Sequence, residues 1–567
     1  MSHSSSRRDF VIKLAALSAA GSTGLTLSAC GGGNPPAAFD YGVASGDPLA
    51  DRVILWTHAR YPDRDDAVIL TWEIATDNAF TQIVRQGLTQ ASASTDFTVK
   101  VDATGLSANR VYYYRFRQGR NASPVGRTRT LPTGNVSEVK LAVFSCANYP
   151  AGFFNVYAAA ARSDAQFAIH LGDYIYEYGA TNADGSPAYA SANASALGRV
   201  SQPSEELTLL SHYRTRHAQY KSDPDSKTLH ARMPMIAVWD DHEVANDAYK
   251  DGADNHDPAT EGSFAARKQA ALQAYHEWMP IRTGSDVNVI YRSFQFGQLL
   301  SLHMLDTRLI GRDKQVSFAE LLNPATQATA QATLTSPTRQ MLGSTQMAWL
   351  QAQMQASTAT WQVLGQQVLM GNMAFPVSVL STLESGDVNA AAAAVTAYLT
   401  AKATPEGSRT PEQNDLLEQP KLGYNLDAWD GYLAARETLL MTAYALGKQL
   451  ITLAGDTHNA WHSDLKLAGY VNSALTGTQV GAEFATASVS SPGLEEYLAA
   501  IPPAQVKLIF ENVVDDLKWM DPSRRGYLKM TFTPSTVIGD WVFVDTIGGR
   551  SYTVAETVRH TYPALPG

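Results

Sequence analysis

Cysteine is almost missing from this chain, with two in 567 residues, Cys30 and Cys146. Cys30 falls in the amino-terminal leader, so Cys146 has no partner for an intramolecular disulfide once Cys30 is modified or removed. Long apolar runs are also absent beyond the leader. No stretch reaches the roughly 18 residues that a spanning helix needs. Positive charge is in deficit: Lys plus Arg number 44 against 54 Asp plus Glu, a formal net charge of -10. That excludes a scaffold held to nucleic acid by phosphate contacts, and no nucleic-acid binding surface is evident. A small anionic substrate stays open, because a metal cluster can reverse the local field. What is present, 45% hydrophobic and 17% charged residues, is an ordinary soluble composition at a length that calls for more than one domain.

The leader reads as an address. Ser6-Arg7-Arg8-Asp9-Phe10-Val11-Ile12-Lys13 is a twin-arginine pattern, followed by a region, Leu14 to Leu27, too short and too rich in small residues to span a membrane. Residues 1–30 are therefore expected to engage the twin-arginine export machinery, a route suited to a protein that takes up its cofactor before crossing. Leu27-Ser28-Ala29-Cys30 resembles a lipoprotein processing box. Cys30 is then either a lipidated membrane tether or a chance cysteine beside an ordinary cleavage site. The expected location is the periplasm, the cell surface or the medium.

After a Gly/Pro-rich linker, 31–38, residues 39–135 carry short alternating runs separated by turns. Examples are Val53-Ile54-Leu55-Trp56, Ile69 to Ile74 and Val111 to Phe116. They predict a small β-sandwich. From 136 to 567, strands alternate with helical stretches, the signature of a layered α/β domain. Six of those strands end in chemistry. Val139 to Phe144 is followed by Ser145-Cys146-Ala147-Asn148, and Phe167 to Leu171 by Gly172-Asp173-Tyr174-Ile175-Tyr176. Met235 to Trp239 leads into Asp240-Asp241-His242-Glu243 and, shortly after, Asn246. Leu299 to Leu305 leads into Asp306-Thr307-Arg308, Trp361 to Gly365 into Gln366-Gln367, and Gln449 to Gly455 into Asp456-Thr457-His458. Ligand sites form at such exits when parallel strands lie side by side.

A carboxylate such as Asp173 beside a core strand is costly unless paired, hydrogen-bonded or metal-bound. Cys146 is either a buried small hydrophobe or a metal thiolate. Together, thiolate and phenolate donors suit a trivalent or redox-stable transition ion, whereas carboxylate and amide oxygens suit calcium, magnesium or manganese. Two cations bridged by Asp173 would clamp a phosphoryl group and acidify a water for attack. His242 could donate a hydrogen bond or proton to the ester. Arg308 has two readings, a phosphate-binding fork or a partner of Asp306. Gln366 and Gln367 would orient ligands.

The ordered runs Ser145-Cys146-Ala147-Asn148-Tyr149, His170 to Tyr178, Arg216-His217-Ala218-Gln219-Tyr220, Trp239 to Val244, Leu305-Asp306-Thr307-Arg308, Trp429-Asp430-Gly431-Tyr432 and Gly455-Asp456-Thr457-His458 closely resemble PhoD-like alkaline phosphatases. The resemblance implies a multidomain β and α/β fold, an Ig/fibronectin-like β-sandwich followed by a metallophosphatase-type αββα sandwich. It implies hydrolysis of phosphate mono- and diesters at a centre of ferric iron and calcium. Cys146, Asp173, Tyr176 and His458 would hold iron. Asp173 would bridge to calcium, with Asp241 or Asn246 and Asp456 as further ligands and Asp430 on an additional calcium, Asp427 being its less favoured neighbour. His242 would stabilise the phosphoryl transition state. Where the wider metallophosphatase pattern has Asp-x-His, Gly-Asn-His and Gly-His-x-His, this chain has Cys146, Asp240-Asp241-His242 and Asp456-Thr457-His458, changes that favour iron with calcium over zinc or manganese. A phospholipase-D-like diesterase and a metal-stabilised, non-catalytic surface protein are the competing readings.

Overall fold

The computed structural model describes residues 35–385 and 387–565. The twin-arginine pattern and the Cys30 box lie outside the described residues.

Two sheets form the body of the molecule. In the first, Phe167–His170 runs parallel to Val139–Phe144 on one side and Met235–Ala237 on the other. Every residue of Phe167–His170 and Met235–Ala237 is buried, as expected of parallel strands covered on both faces. In the second, Leu300–Met304, Trp361–Gly365 and Gln449–Ala454 are parallel neighbours. All six strand exits foreseen in the sequence are therefore real, three on each sheet.

The sheets share one core, in which Val143 and Ile169 of the first join Ile451, Leu453 and Phe484 of the second. Tyr213, Leu229 and Tyr275 bring helices Leu210–Ser222, Pro224–Arg232 and Phe264–Trp278 into the same core. On the second sheet a separate core joins Leu364 and Leu450 to Leu350 and Leu439 of helices Gly343–Ala356 and Leu433–Ala445. The result is a helix, sheet, sheet, helix layering.

Residues 39–135 make two β layers around their own core of Val53, Leu55, Val68, Leu70, Ile74 and Tyr114. One layer, Val43–Gly46, Arg52–His58 and Thr98–Thr104, is continuous with the first large sheet, because Gly46 pairs in parallel with Met235. A Cβ at Gly46 would lie 2.1 Å from the Pro280 carbonyl oxygen and 2.5 Å from that of Met235, so only glycine allows this junction. The boundary near 135 separates two cores rather than two bodies: the chain from Ala37 onward packs as one compact unit.

The first sheet is completed by three strands not read from the sequence, Gly526–Phe532, Thr536–Val544 and Val554–Pro563. Gly526–Phe532 pairs antiparallel with Val139–Phe144 across nearly the whole chain, a long-range pairing that no local pattern announces.

Candidate active site

The loops at the strand exits are held in strained backbone. Cys146, Asp173, Asp247, Asp456 and His458 all have positive φ, between 53° and 65°, in the left-handed region that non-glycine residues rarely adopt. Gly172, at φ 115°, precedes Asp173; a Cβ there would come within 2.3 Å of the Asp240 Cβ. Glu243 ties the turns together. Its carboxylate accepts the Asp173 N–H at 3.0 Å, the Tyr174 N–H at 2.5 Å and the Asp240 N–H at 2.6 Å.

Three overlapping groups of donors result, each with ligand atoms within 4.8 Å of one another: Cys146, Asp173 and His458; Asp173, Asp241 and His242; and Asp240, Asp241 and Asp456. Asp173 belongs to the first two and Asp241 to the last two. The Tyr176 hydroxyl completes the first, 3.0 Å from Asp173 Oδ2 and 3.2 Å from His458 Nε2. His458 Nδ1 lies 2.5 Å from the Pro492 carbonyl oxygen. A carbonyl only accepts, so the proton sits on Nδ1 and Nε2 is left with its lone pair toward the cluster. Burial pushes His458 down to about 3, keeping it neutral.

Asp173 Oδ1 is buried with no hydrogen-bond partner. Burial first, then the charges of Asp240, Asp241 and Glu243, push Asp173 well above the usual carboxylate range. Burial raises Asp240 in the same way, and burial followed by nearby carboxylates takes Asp456 and Asp247 to about 7. Burial raises the Cys146 thiol, with the Asp173 charge adding to it. So many buried acids ionise together only if cations neutralise them. The donor set and the orphaned Asp173 oxygen fit bound metal ions.

His242 Nδ1 lies 2.7 Å from Glu177 Oε2. The other oxygen of Glu177 accepts from the Asn246 N–H at 2.7 Å and from Asn255 Nδ2 at 2.9 Å. Burial alone would push His242 down, but Asp241, Glu177 and Asp173 outweigh it and raise His242 well above its ordinary value.

A family model for PhoD-like phosphatase matches residues 141–541, and one for the PhoD-like phosphatase N-terminal domain matches residues 28–132. The chain belongs to the PhoD-like phosphatase family. Alkaline phosphatase D of Bacillus subtilis (strain 168) is 36% identical over 471 residues, which cover 80% of this chain and 70% of that protein. A solved structure described as that of PhoD aligns with 95% of this chain and 92% of its own at 30% identity, with a TM-score of 0.72. The chain is a hydrolase of phosphate esters.

The other candidate residues of this PhoD-like phosphatase surround these groups. Asp430 stands outside the three groups, its carboxylate accepting the Met373 N–H at 2.8 Å. It is Asp427 that faces the centre, 2.6 Å from Arg308. Arg308 itself is fully buried, and all three of its nitrogens donate to carboxylates, those of Asp240, Asp427 and Asp456. It partners Asp306 only through its backbone N–H. These bonds use three of the five guanidinium N–H groups, one on each nitrogen. Asn246 is half-buried and is held by its backbone to Glu177, whereas both oxygens of Asp241 accept backbone N–H groups, from His242 and Asp247.

The Gln367 side chain bonds no donor side chain of the three groups directly. It accepts from Thr307 and donates to the carbonyls of Trp239 and Leu305, sewing the two sheets together. Gln366 accepts from the Trp429 indole N–H.

The functional residues missed were Glu177, Glu243, Asp247, Tyr189 and Ser491. Glu177 and Glu243 are acids in runs already singled out, where the signal was present but unassigned, and Asp247 directly follows Asn246. Tyr189 comes from the unpatterned loop 180–204 and reaches within 3.3 Å of His458 Nδ1. Ser491 lies 2.6 Å from the Tyr176 hydroxyl, and nothing local marks it.

Proposed function

We propose that this PhoD-like phosphatase hydrolyses phosphate monoesters and diesters at an iron and calcium centre. The observation that carries the reading is the gathering of a thiol, a phenol and an imidazole lone pair around Asp173, beside a set made only of carboxylate oxygens. Cys146, Asp173, Tyr176 and His458 would hold ferric iron. Asp173, Asp241 and Asp456 would hold calcium, with Asn246 an added oxygen donor. Such cations supply charge neutralisation for a phosphoryl group and Lewis acidity toward water.

The chain's own residues do the rest. Glu177 holds His242 by Nδ1 and keeps the ring cationic, so the ring is a hydrogen-bond and proton donor for the departing ester oxygen. Arg308, held among Asp240, Asp427 and Asp456, neutralises the acidic cluster and positions it. Glu243 fixes the backbone that aims Asp173. The two β layers of 39–135, antiparallel around one core, support the Ig/fibronectin-like reading of that region.

Export by the twin-arginine machinery, with Cys30 as a membrane tether, completes the proposal and is supported by the leader sequence. Replacing Arg7 and Arg8 by Lys should hold the protein in the cytoplasm. Cys30→Ala should release the exported form from membranes.

The reading is tested on protein lacking the leader, by metal analysis together with hydrolysis of nitrophenyl mono- and diesters before and after chelation. Iron with calcium, and hydrolysis restored by calcium, is the expected result. An iron-free protein with full activity would overturn the metal assignment.

A further inference from the structure

A cleft of about 530 Å³ opens beside Asp456 and His458. That size suits a small organic group. Asn425, Thr457 and two tyrosines, Tyr424 and Tyr497, add polar atoms near the Asp456 end, and the rest of the lining is aliphatic or phenyl. Leu380 and Leu383 come from helix Val377–Glu384, Leu494 and Leu498 from the segment after Ser491, and Phe510 from helix Pro503–Val513. Leu380 and Phe510 are buried, whereas Leu383, Leu494 and Leu498 stay partly exposed, and Tyr497 has 63% of its surface in solvent.

Partly wet leucines gathered in one concave wall mark a binding surface more than a packing defect. Among the described residues that line the cleft there is no Lys or Arg. A second phosphate or a sugar phosphate chain entering here would meet no cation, while an aliphatic group would take leucine surface out of water. The cleft ends on Asp456 and His458, so its occupant is continuous with whatever phosphoryl group those residues serve.

Resting on the phosphoesterase reading above, we propose that this cleft binds an aliphatic substituent of the phosphate ester, so that alkyl diesters are preferred over small ones. The helical segment from 377 to 384 and the turn from 494 to 498 then act as specificity elements.

The test uses the metal-loaded enzyme and four p-nitrophenyl diesters that share one leaving group, with methyl, butyl, hexyl or phenyl as the second substituent. In the wild type, kcat/KM should climb about threefold per methylene from methyl to hexyl, the order expected for burying CH₂ groups. Leu380→Asn and Leu498→Asn should each lower the hexyl-to-methyl ratio at least tenfold. Because the ratio is taken within one variant, loss of folded enzyme cancels, and the two positions differ in burial. A wild-type ratio near one overturns the proposal and leaves ester hydrolysis standing. A flat alkyl series with a fast phenyl ester overturns the aliphatic assignment. Absence of turnover on all four esters, in enzyme that still hydrolyses p-nitrophenyl phosphate, removes the diester reading and this proposal with it.

Discussion

At the scale of single residues, the centre is governed by who holds whom. Asp173 is shared by two donor groups, has one oxygen bonded to Tyr176 and the other without a partner. Asp173→Asn removes the charge and one ligand lone pair from both groups at once. Activity should fall by more than about 10³-fold, and elemental analysis should show iron and calcium lost together. Loss of one metal alone would argue against a shared carboxylate.

Glu177 acts through His242. Its charge is among those that lift the His242 pKa above the ordinary value against burial, so Glu177→Gln should let that pKa fall. If the imidazolium donates to the ester, activity is lost as pH rises through the His242 pKa. The alkaline limb of kcat/KM should therefore move to lower pH by about one unit or more, and Glu177→Asp should restore much of it. An unmoved limb would assign Glu177 a purely structural part.

At the scale of elements, strand exits do the positioning. The apolar runs ending in Cys146, Asp173, Asp240, Asp306, Gln366 and Asp456 were legible because parallel buried strands are written as unbroken hydrophobic stretches. The sequence also gave away the residue types at their ends. What it hid were pairings between distant segments. Ser491 donates to the Cys146 carbonyl 345 positions away, and Gln367 links strands of two sheets. Such contacts depend on how the sheets are stacked, which no window of sequence encodes. Asp427 and Asp430 show the same limit: Asp427 precedes the short turn at Trp429–Gly431 and bonds Arg308, Asp430 lies within that turn and bonds the Met373 N–H, and spacing alone does not distinguish the two.

The Gln367 amide makes bonds to both sheets with no exposure to water. Gln367→Leu preserves bulk but strands the Trp239 and Leu305 carbonyls and the Thr307 donors. It should destabilise by about 2–4 kcal/mol, read as a lower denaturation midpoint in urea. A change below about 0.5 kcal/mol would mean that water replaces the amide at this junction.

For the whole molecule, the centre is an acidic core that the fold tolerates under two conditions, protonation or metal binding. Burial and neighbouring carboxylates raise Asp456 and Asp247 to about 7, and burial raises Glu243 to about 8. Carboxylates with folded pKa values above their unfolded values hold protons that the unfolded chain releases. Their contribution is fully present below about pH 4 and is lost as pH rises through 7 to 8. Metal-free protein should therefore melt at lower temperature as pH is raised from 5 to 8, by about 5 °C or more, opposite to the trend of an ordinary paired carboxylate. Cations bind the ionised form, so added calcium should raise the melting temperature most at pH 8 and least at pH 5. Differential scanning fluorimetry of chelated protein, with and without calcium across that range, measures both slopes. Parallel curves at all pH values would mean that these acids are already paired within the protein and need no cation.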